Sequence, residues 1–508
     1  MLLLLTAAFL FRLQGIWFGY PLSVHPDEPL IVNAALHMVR TGNLNPHFFE
    51  YPTLFIYLQA LLYAAITFLE RLFSPFPTSA MPEIEFYVCG RVLNVVLSTA
   101  TIYATYEIGR RVINAWAGLA AACFISASNL HVANSFTITV DSSVALWSSL
   151  SALMAVMIYT GGEKRWYYVA SGIFAGFAVA SKYTAFPAVL PMIIAHLYQA
   201  RQDRHWINMN IVIGLFAAPC AFLLTTPYAL LDSKSFIKAI MLQGHHYGTG
   251  HPGAESLTNS SYALYFNYLF TKGFGIVPGI LAVTGMSFLL AEDRWKALML
   301  LGFPLFFFLF VGAYKVFFSR NIVATIPFLS LFSGLSIYVI ADWCRRRLLP
   351  SAGHVWRSAV IFAVGLVLVF ISTYSQVVYA HQTIQEMTLP DTRWVGLLWI
   401  QENLPPGAHI GREHYTPPVE KYTDKYSVSD MGYFPFAKKK EIIEKIRTFD
   451  FMVVSSGDYG RFVDHPDIYP SQAQAYENFF AGNELVKEFV PDGKTLGGPT
   501  IRIYRIKR

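Results

Sequence analysis

The side chains of this sequence that suit chemistry are few, and they stand where apolar runs begin or end. His25-Pro26-Asp27-Glu28 follows the first apolar segment, Glu50 precedes the run that starts at Pro52, Asp141 closes SFTITVD, and Lys182 lies in ASKYTAFP. His245, His246 and His251 crowd QGHHYGTGHPG, while Lys315 and Arg320 flank the aromatic pair Phe317-Phe318. Carboxylates serve as bases or metal ligands, imidazoles bind metal or relay protons, and lysine and arginine neutralise phosphate. Each residue also has a plain structural reading. Asp27, Glu28 and Asp141 suit helix N-termini. Lys182 and Arg320 suit interfacial anchoring, and histidines among glycines suit an ordinary loop.

The elements that must position these groups are hydrophobic. Of 508 residues, 54% are hydrophobic, 16% aromatic and only 14% charged, and apolar runs of membrane-spanning length recur to about residue 376. That excludes a soluble enzyme. The formal net charge of +6 needs no nucleic acid, because basic residues accumulate in cytoplasmic loops. Cys89, Cys123, Cys220 and Cys344 all lie in or beside apolar segments, which argues against a disulfide framework.

Charge placement assigns the sides. The clusters Arg110-Arg111, Lys164-Arg165, Arg201 with Arg204, Arg294 with Lys296, and Arg345 through Arg347 all become cytoplasmic if the spans fall near 88–109, 113–130, 142–160, 166–181, 183–199, 207–226, 275–291, 297–313, 321–341 and 356–376. The opening run, which lacks a basic start and a cleavage site, is then a first span, with Arg12 reaching the outer interface. The N-terminus lies inside and the C-terminus outside. Pro52 to Leu69 is apolar enough to cross, yet one crossing there would turn every basic cluster outward, so it is placed as an interfacial or re-entrant helix. On this parity Asp27, Glu28, Glu50, Asp141, Lys182, the three histidines, Lys315 and Arg320 share the external face. Ionisable groups gathered at a membrane boundary are candidates for function.

Beyond residue 377 the pattern changes. DTRWVGLLWIQEN at 391–403 has helical periodicity, Leu404-Pro405-Pro406-Gly407 ends it, and strand-like FDFMVVSS and IRIYRI follow. The expected fold class is a polytopic α-helical membrane protein of about eleven to thirteen transmembrane helices, with interfacial helices in its first external loop. Residues 1–376 form that membrane domain and 377–508 a small extracytoplasmic α/β domain. No phosphate-binding glycine loop or nucleophile elbow is present in the latter.

HPDE after the first helix, FFEYPTLFIYL, RVLNVVLSTATIYATYEIGRRV, TVD at 139–141, GIFAGFAVASKYTAFPAVLP, TTPYALLD, GHHYGTGHPG and SRNIVATIPFL, taken in order, resemble the phospholipid carrier-dependent glycosyltransferases. These are the protein O-mannosyltransferases and the lipid A aminoarabinose transferase, of the C-type glycosyltransferase superfamily. The resemblance covers about residues 1–376. It implies that Asp27 activates the acceptor, with Glu28 beside it, and that Asp141 is the second acidic position of the active site. It implies further that Lys182 and Arg320 present cations to the lipid phosphate, and that Glu50 and His245 (or His246) hold a divalent ion such as zinc. One departure is that Asn321 follows Arg320 where the family usually has tyrosine.

The resulting expectation is a multi-pass plasma-membrane enzyme. It would move one sugar, with inversion, from a polyprenyl-phosphate donor to an external acceptor that is protein, lipid or glycan. The rivals are a secondary transporter, which should show repeated halves around a midplane site, and a receptor or scaffold working through its external domain. The absence of an internal repeat and the gathering of charge at one face favour the enzyme.

Overall fold

A computed structural model describes residues 1–73, 82–203, 206–253, 260–348, 354–432 and 444–507. These fall into two compact units, Met1–Ile16 with His25–Thr383, and Trp17–Val24 with Ile384–Arg508. The first unit is helical. Among the described residues six helices are long and apolar enough to cross a membrane: Leu54–Phe73, Glu83–Val112, Asp141–Gly161, Arg294–Gly312, the stretch Ser319–Arg347, and Ala359–Thr388. They become seven if Tyr262–Gly273 and Ile276–Glu292, which meet at 114°, form one broken span. Leu54–Phe73 passes this test of length and composition, so its interfacial placement rests on charge parity alone.

Several runs read from the sequence as spans are shorter helices with identifiable boundaries. The Asn114 side chain caps Ala115–Ala127 by accepting from Trp116 N and Ala117 N, and Asn208 caps Met209–Thr225 in the same way. The run at 183–199 opens as a 3-10 helix, Tyr183–Val189, before continuing as Leu190–Asp203. Small residues let these helices touch. A Cβ added at Gly172 would lie 2.1 Å from Gly214 O, and one at Gly176 2.3 Å from Ala218 O, so Arg165–Ser181 and Met209–Thr225 meet backbone to backbone.

Arg12 departs from expectation. Instead of reaching an interface it is fully buried, donating to the carbonyls of Ala8, Ile125 and Ser126, to Ser98 Oγ, and meeting His131 Nδ1 at 3.1 Å. A guanidinium with five donors pulled inward satisfies carbonyls left over at the end of helix Ala115–Ala127. The first helix is thereby tied into the bundle.

The second unit is built on a five-stranded sheet of order β2-β1-β3-β5-β4, with β1 His409–Arg412, β2 Ser427–Asp430, β3 Phe451–Ser455, β4 Glu484–Phe489 and β5 Ile501–Arg505. β1 runs parallel to β2 and β3, and β5 runs antiparallel to β3 and β4. Alternation divides the side chains. Phe451, Val453, Ile501 and Ile503 pack with Leu397 and Ile400 of helix Thr392–Asn403, while Met452, Val454 and Tyr504 pack with Phe462 and Tyr476 of the helices on the other face. Just past β1 the buried Glu413 accepts from Tyr476 Oη at 2.5 Å and Ser455 N at 3.0 Å. Nearby Asp458 accepts from Tyr415 N at 3.1 Å, and its Oδ1 is buried with no partner. Burial pushes the Asp458 carboxyl up to about 7, and burial together with Asp458 raises Glu413 well above the usual range.

Candidate active site

The helical unit brings four of the expected residues into one connected ionic cluster. Asp27 occupies the N-cap position of helix Glu28–Thr41, yet its side chain makes no capping bond. It pairs instead with Arg320, Oδ2 to Nη2 at 2.7 Å. Asp141, the first residue of helix Asp141–Gly161, likewise makes no cap. Its Oδ1 accepts from Lys182 Nζ at 2.7 Å, and its Oδ2 lies 3.8 Å from Arg320 Nε. Lys182 terminates helix Arg165–Ser181 in an extended conformation that turns the ammonium inward, so it is buried and does not snorkel. The capping and anchoring readings of these residues therefore give way to mutual pairing.

Glu28 takes a different role. It is fully buried, and both oxygens are engaged by the equally buried Arg91, Nε to Oε1 at 2.9 Å and Nη2 to Oε2 at 2.6 Å. Ile138 N adds a third bond to Oε1 at 2.9 Å, and Arg91 also donates to Ile16 O at 2.9 Å. A carboxylate whose lone pairs are committed in this way is not placed to accept a substrate proton. Glu28 is corrected from a catalytic to a positioning residue: it ties the turn that carries Asp27 to the segment just before Asp141. Arg91, which pattern reading missed, is the basic residue buried in the first half of helix Glu83–Val112.

Two residues noted in the sequence only as neighbours of Arg320 acquire contacts in the fold. Asn321 accepts from Lys182 Nζ at 2.7 Å and donates to Tyr265 Oη at 3.0 Å, orienting the ammonium. The aromatic neighbour absent after Arg320 is supplied from before it, since the guanidinium sits 4.7 Å from the Phe318 ring centroid.

Beside the cluster is a cavity of about 210 Å³ lined by Glu50, Tyr51, Lys182, Tyr183, Tyr247 and Phe310, among others. Glu50 stands at its edge, where burial first and then the charge of Asp27 raise its carboxyl above the ordinary value. Burial holds the Tyr51 phenol well above its usual range and moves Tyr247 up to about 12, so both face the cavity as neutral hydroxyls.

The remaining expected residues do not join. His245 is exposed on helix Ser233–Thr249, and no ion pair links it to Glu50 among the described residues. His246 packs against Tyr247 and His251, with burial lowering its pKa. Lys315 offers its carbonyl to Ser261 Oγ. Among the described residues no group of three or more His, Cys, Asp or Glu side chains is arranged to hold a metal ion. The expected Glu50 and His245 pair is thus not part of a larger donor set among the described residues.

Known proteins can be set beside this bundle of apolar helices, which bears paired acids and cations at one end. Residues 88–230 match the dolichyl-phosphate-mannose-protein mannosyltransferase family. The fold is similar to that of ArnT from Cupriavidus metallidurans bound to undecaprenyl phosphate, at 14% identity and a TM-score of 0.56, covering 99% of this chain and 97% of that one. It is also similar to AglB, the oligosaccharyltransferase from Archaeoglobus fulgidus, in complex with an inhibitory peptide and a dolichol-phosphate, at 13% identity, TM-score 0.57, and coverage of 97% and 73%. A complex of the Archaeoglobus fulgidus oligosaccharyltransferase with Zn and sulfate gives 12% identity and a TM-score of 0.59 over 97% and 73%. No curated protein matches the sequence. At 12–14% identity these likenesses show a shared fold, and the family model matches residues 88–230 of the 508.

Proposed function

We propose that this protein transfers a single sugar from a polyprenyl-phosphate donor to an acceptor hydroxyl on the extracytoplasmic side of the plasma membrane, inverting the anomeric centre. The observation that carries this reading is the joined cluster Asp27, Arg320, Asp141 and Lys182 against a cavity on the scale of one sugar ring. Its apolar wall, with Ile240 and Phe310, suits the first isoprene units. The family match and the carrier phosphates bound by proteins of similar fold support it.

In the reaction the acceptor oxygen bonds to the anomeric carbon as the bond from that carbon to the phosphate oxygen breaks, and the leaving phosphate keeps the electron pair. Asp27 takes the hydroxyl proton. Its Oδ1 accepts no hydrogen bond among the described residues, and Oδ2 is held by Arg320. Arg320 and Lys182 lend positive charge to the phosphate oxygens, with Asp141 and Asn321 fixing Lys182. Because the leaving group is already a phosphate, a second acidic catalyst is not required. No step is assigned to a metal.

The membrane domain is read as about eleven to thirteen spans with the N-terminus cytoplasmic and residues 377–508 outside. Purified protein in nanodiscs, supplied with synthetic polyprenyl-phosphate sugars and a panel of protein, lipid and glycan acceptors, tests the function. Transfer with inverted product stereochemistry is the expected result, and retention of configuration overturns direct displacement.

A further inference from the structure

A second cavity, of about 530 Å³, lies at the other end of the same helices. Helix Ile326–Leu348 begins beside Arg320 and Asn321, and its last turns, with Asp342, Trp343 and Arg346, line this cavity about 30 Å further along the axis. Asn114, Glu292 and Lys296 complete its polar wall. The surrounding surface carries the basic clusters Arg110-Arg111 and Arg345 to Arg347. This is the face expected to be cytoplasmic.

The polar lining is balanced yet not self-satisfied. Asp342 accepts from Arg345 Nε at 2.8 Å and Arg346 Nε at 2.8 Å, and Arg346 Nη2 also lies 2.8 Å from Asp342 Oδ2, which leaves Nη1 of the largely exposed Arg346 as the donor not turned to Asp342. Lys296 lies 3.3 Å from Asp293, whose two oxygens are both held by Tyr159 Oη at 2.9 Å. Glu292 is exposed and forms no ion pair among the described residues. A ligand here meets cations with unused donors and a carboxylate lacking a partner.

Tyr338 belongs both to this cavity and to a small slot of about 50 Å³ lined by Trp116, Ile361, Phe362, Leu366 and Val369. Phe362 and Leu366 are exposed on the bundle surface. A polar chamber that opens through one shared side chain onto an apolar slot matches an amphipathic molecule. Phosphate suits Arg346 and Lys296. The exposed Glu292 carboxylate can pair with a cationic N–H donor, which a primary ammonium provides and a quaternary ammonium or a purely anionic headgroup does not.

We propose that this cavity and slot seat one aminophospholipid, with its phosphate at Arg346 and Lys296, its primary ammonium at Glu292, and one acyl chain along Phe362 and Leu366. The site is separate from the donor cluster and does not depend on the sugar-transfer reading.

Native mass spectrometry of delipidated full-length protein, titrated with phosphatidylethanolamine, phosphatidylcholine and phosphatidylglycerol of the same acyl chains, tests it. Wild type should retain phosphatidylethanolamine best. Arg346→Gln should weaken retention of all three lipids about tenfold. Glu292→Gln should erase about a threefold preference for phosphatidylethanolamine over phosphatidylcholine while leaving the latter unchanged. Gly365→Leu, whose first added carbon meets Ile337 only at an ordinary 3.8 Å, should fill the slot and displace the chain without touching a charge. Equal retention of the three lipids by wild type, or preference for phosphatidylglycerol, overturns the proposal. So does undiminished retention in Gly365→Leu protein that elutes as a single species.

Discussion

Asp27 and Asp141 in the helical unit each face a cation at 2.7 Å, whereas Glu413 and Asp458 in the C-terminal unit are buried near one another and form no ion pair among the described residues. Both sites gather two acids from distant positions. In the first, Arg320 and Lys182 stand as charged partners to the two carboxylates, and the cations can be lent to a phosphate. In the second, neutral donors such as Tyr476 and the amide of Ser455 are the partners, and burial drives the pair toward protonation. The lesson is that the sign of the partner, more than depth of burial, separates an acid poised for chemistry from one that has become part of a core.

The sharpest way to break this contrast is Asp27→Asn. It changes little volume and removes the base, so transfer should fall by about 10²–10⁴-fold, read by single-turnover assay, while donor binding persists. Full activity would remove Asp27 from the mechanism. Its neighbour offers the control. Glu28→Gln leaves the Arg91 guanidinium buried without its counter-charge and should cost about 3–5 kcal/mol of stability, seen as a lower thermal midpoint in detergent. Inactive protein with an unchanged midpoint would instead return Glu28 to the catalytic set.

The C-terminal pair should respond to pH. Asp458 is raised from 3.8 to about 7 on folding, so the folded state holds a proton that the unfolded chain releases across that window. The stabilisation is complete below the unfolded value and is lost as pH rises through about 7, amounting to about 4 kcal/mol. Hydrogen exchange in β3 of the full-length protein, corrected for intrinsic rates, should quicken from pH 5 to pH 8 in wild type and less steeply in Asp458→Asn, where the buried Glu413 remains. A wild-type profile flat with pH would show that the acids are charge-matched after all. The smallest effect belongs to Phe318→Ala, which removes the ring from the Arg320 guanidinium. It should cost about 1 kcal/mol, read as about a fivefold rise in donor KM with kcat little changed.

The sequence by itself determined the helical membrane class, because apolar length and the low share of charge leave few alternatives. It also determined which ionisable residues stand at helix ends, since such residues are excluded from apolar interiors unless paired. The motifs HPDE, TVD, ASKY and SRN carried the family resemblance through their order along the chain. Pairing was another matter. Glu28 sits next to Asp27 in sequence, yet a helix start turns consecutive side chains in different directions, sending one to Arg320 and the other to the buried Arg91. Arg12 shows the same limit, because a mid-run arginine can reach water or leftover carbonyls, and only the packed neighbours supplied the carbonyls. Nor could spacing reveal that Glu50 and His245 would remain without an ion pair between them, or that Asn321 would replace a tyrosine with a bond to Lys182. Those outcomes depend on where separate helices end in space, which tertiary packing decides because contacts between distant segments leave no periodic trace in the chain.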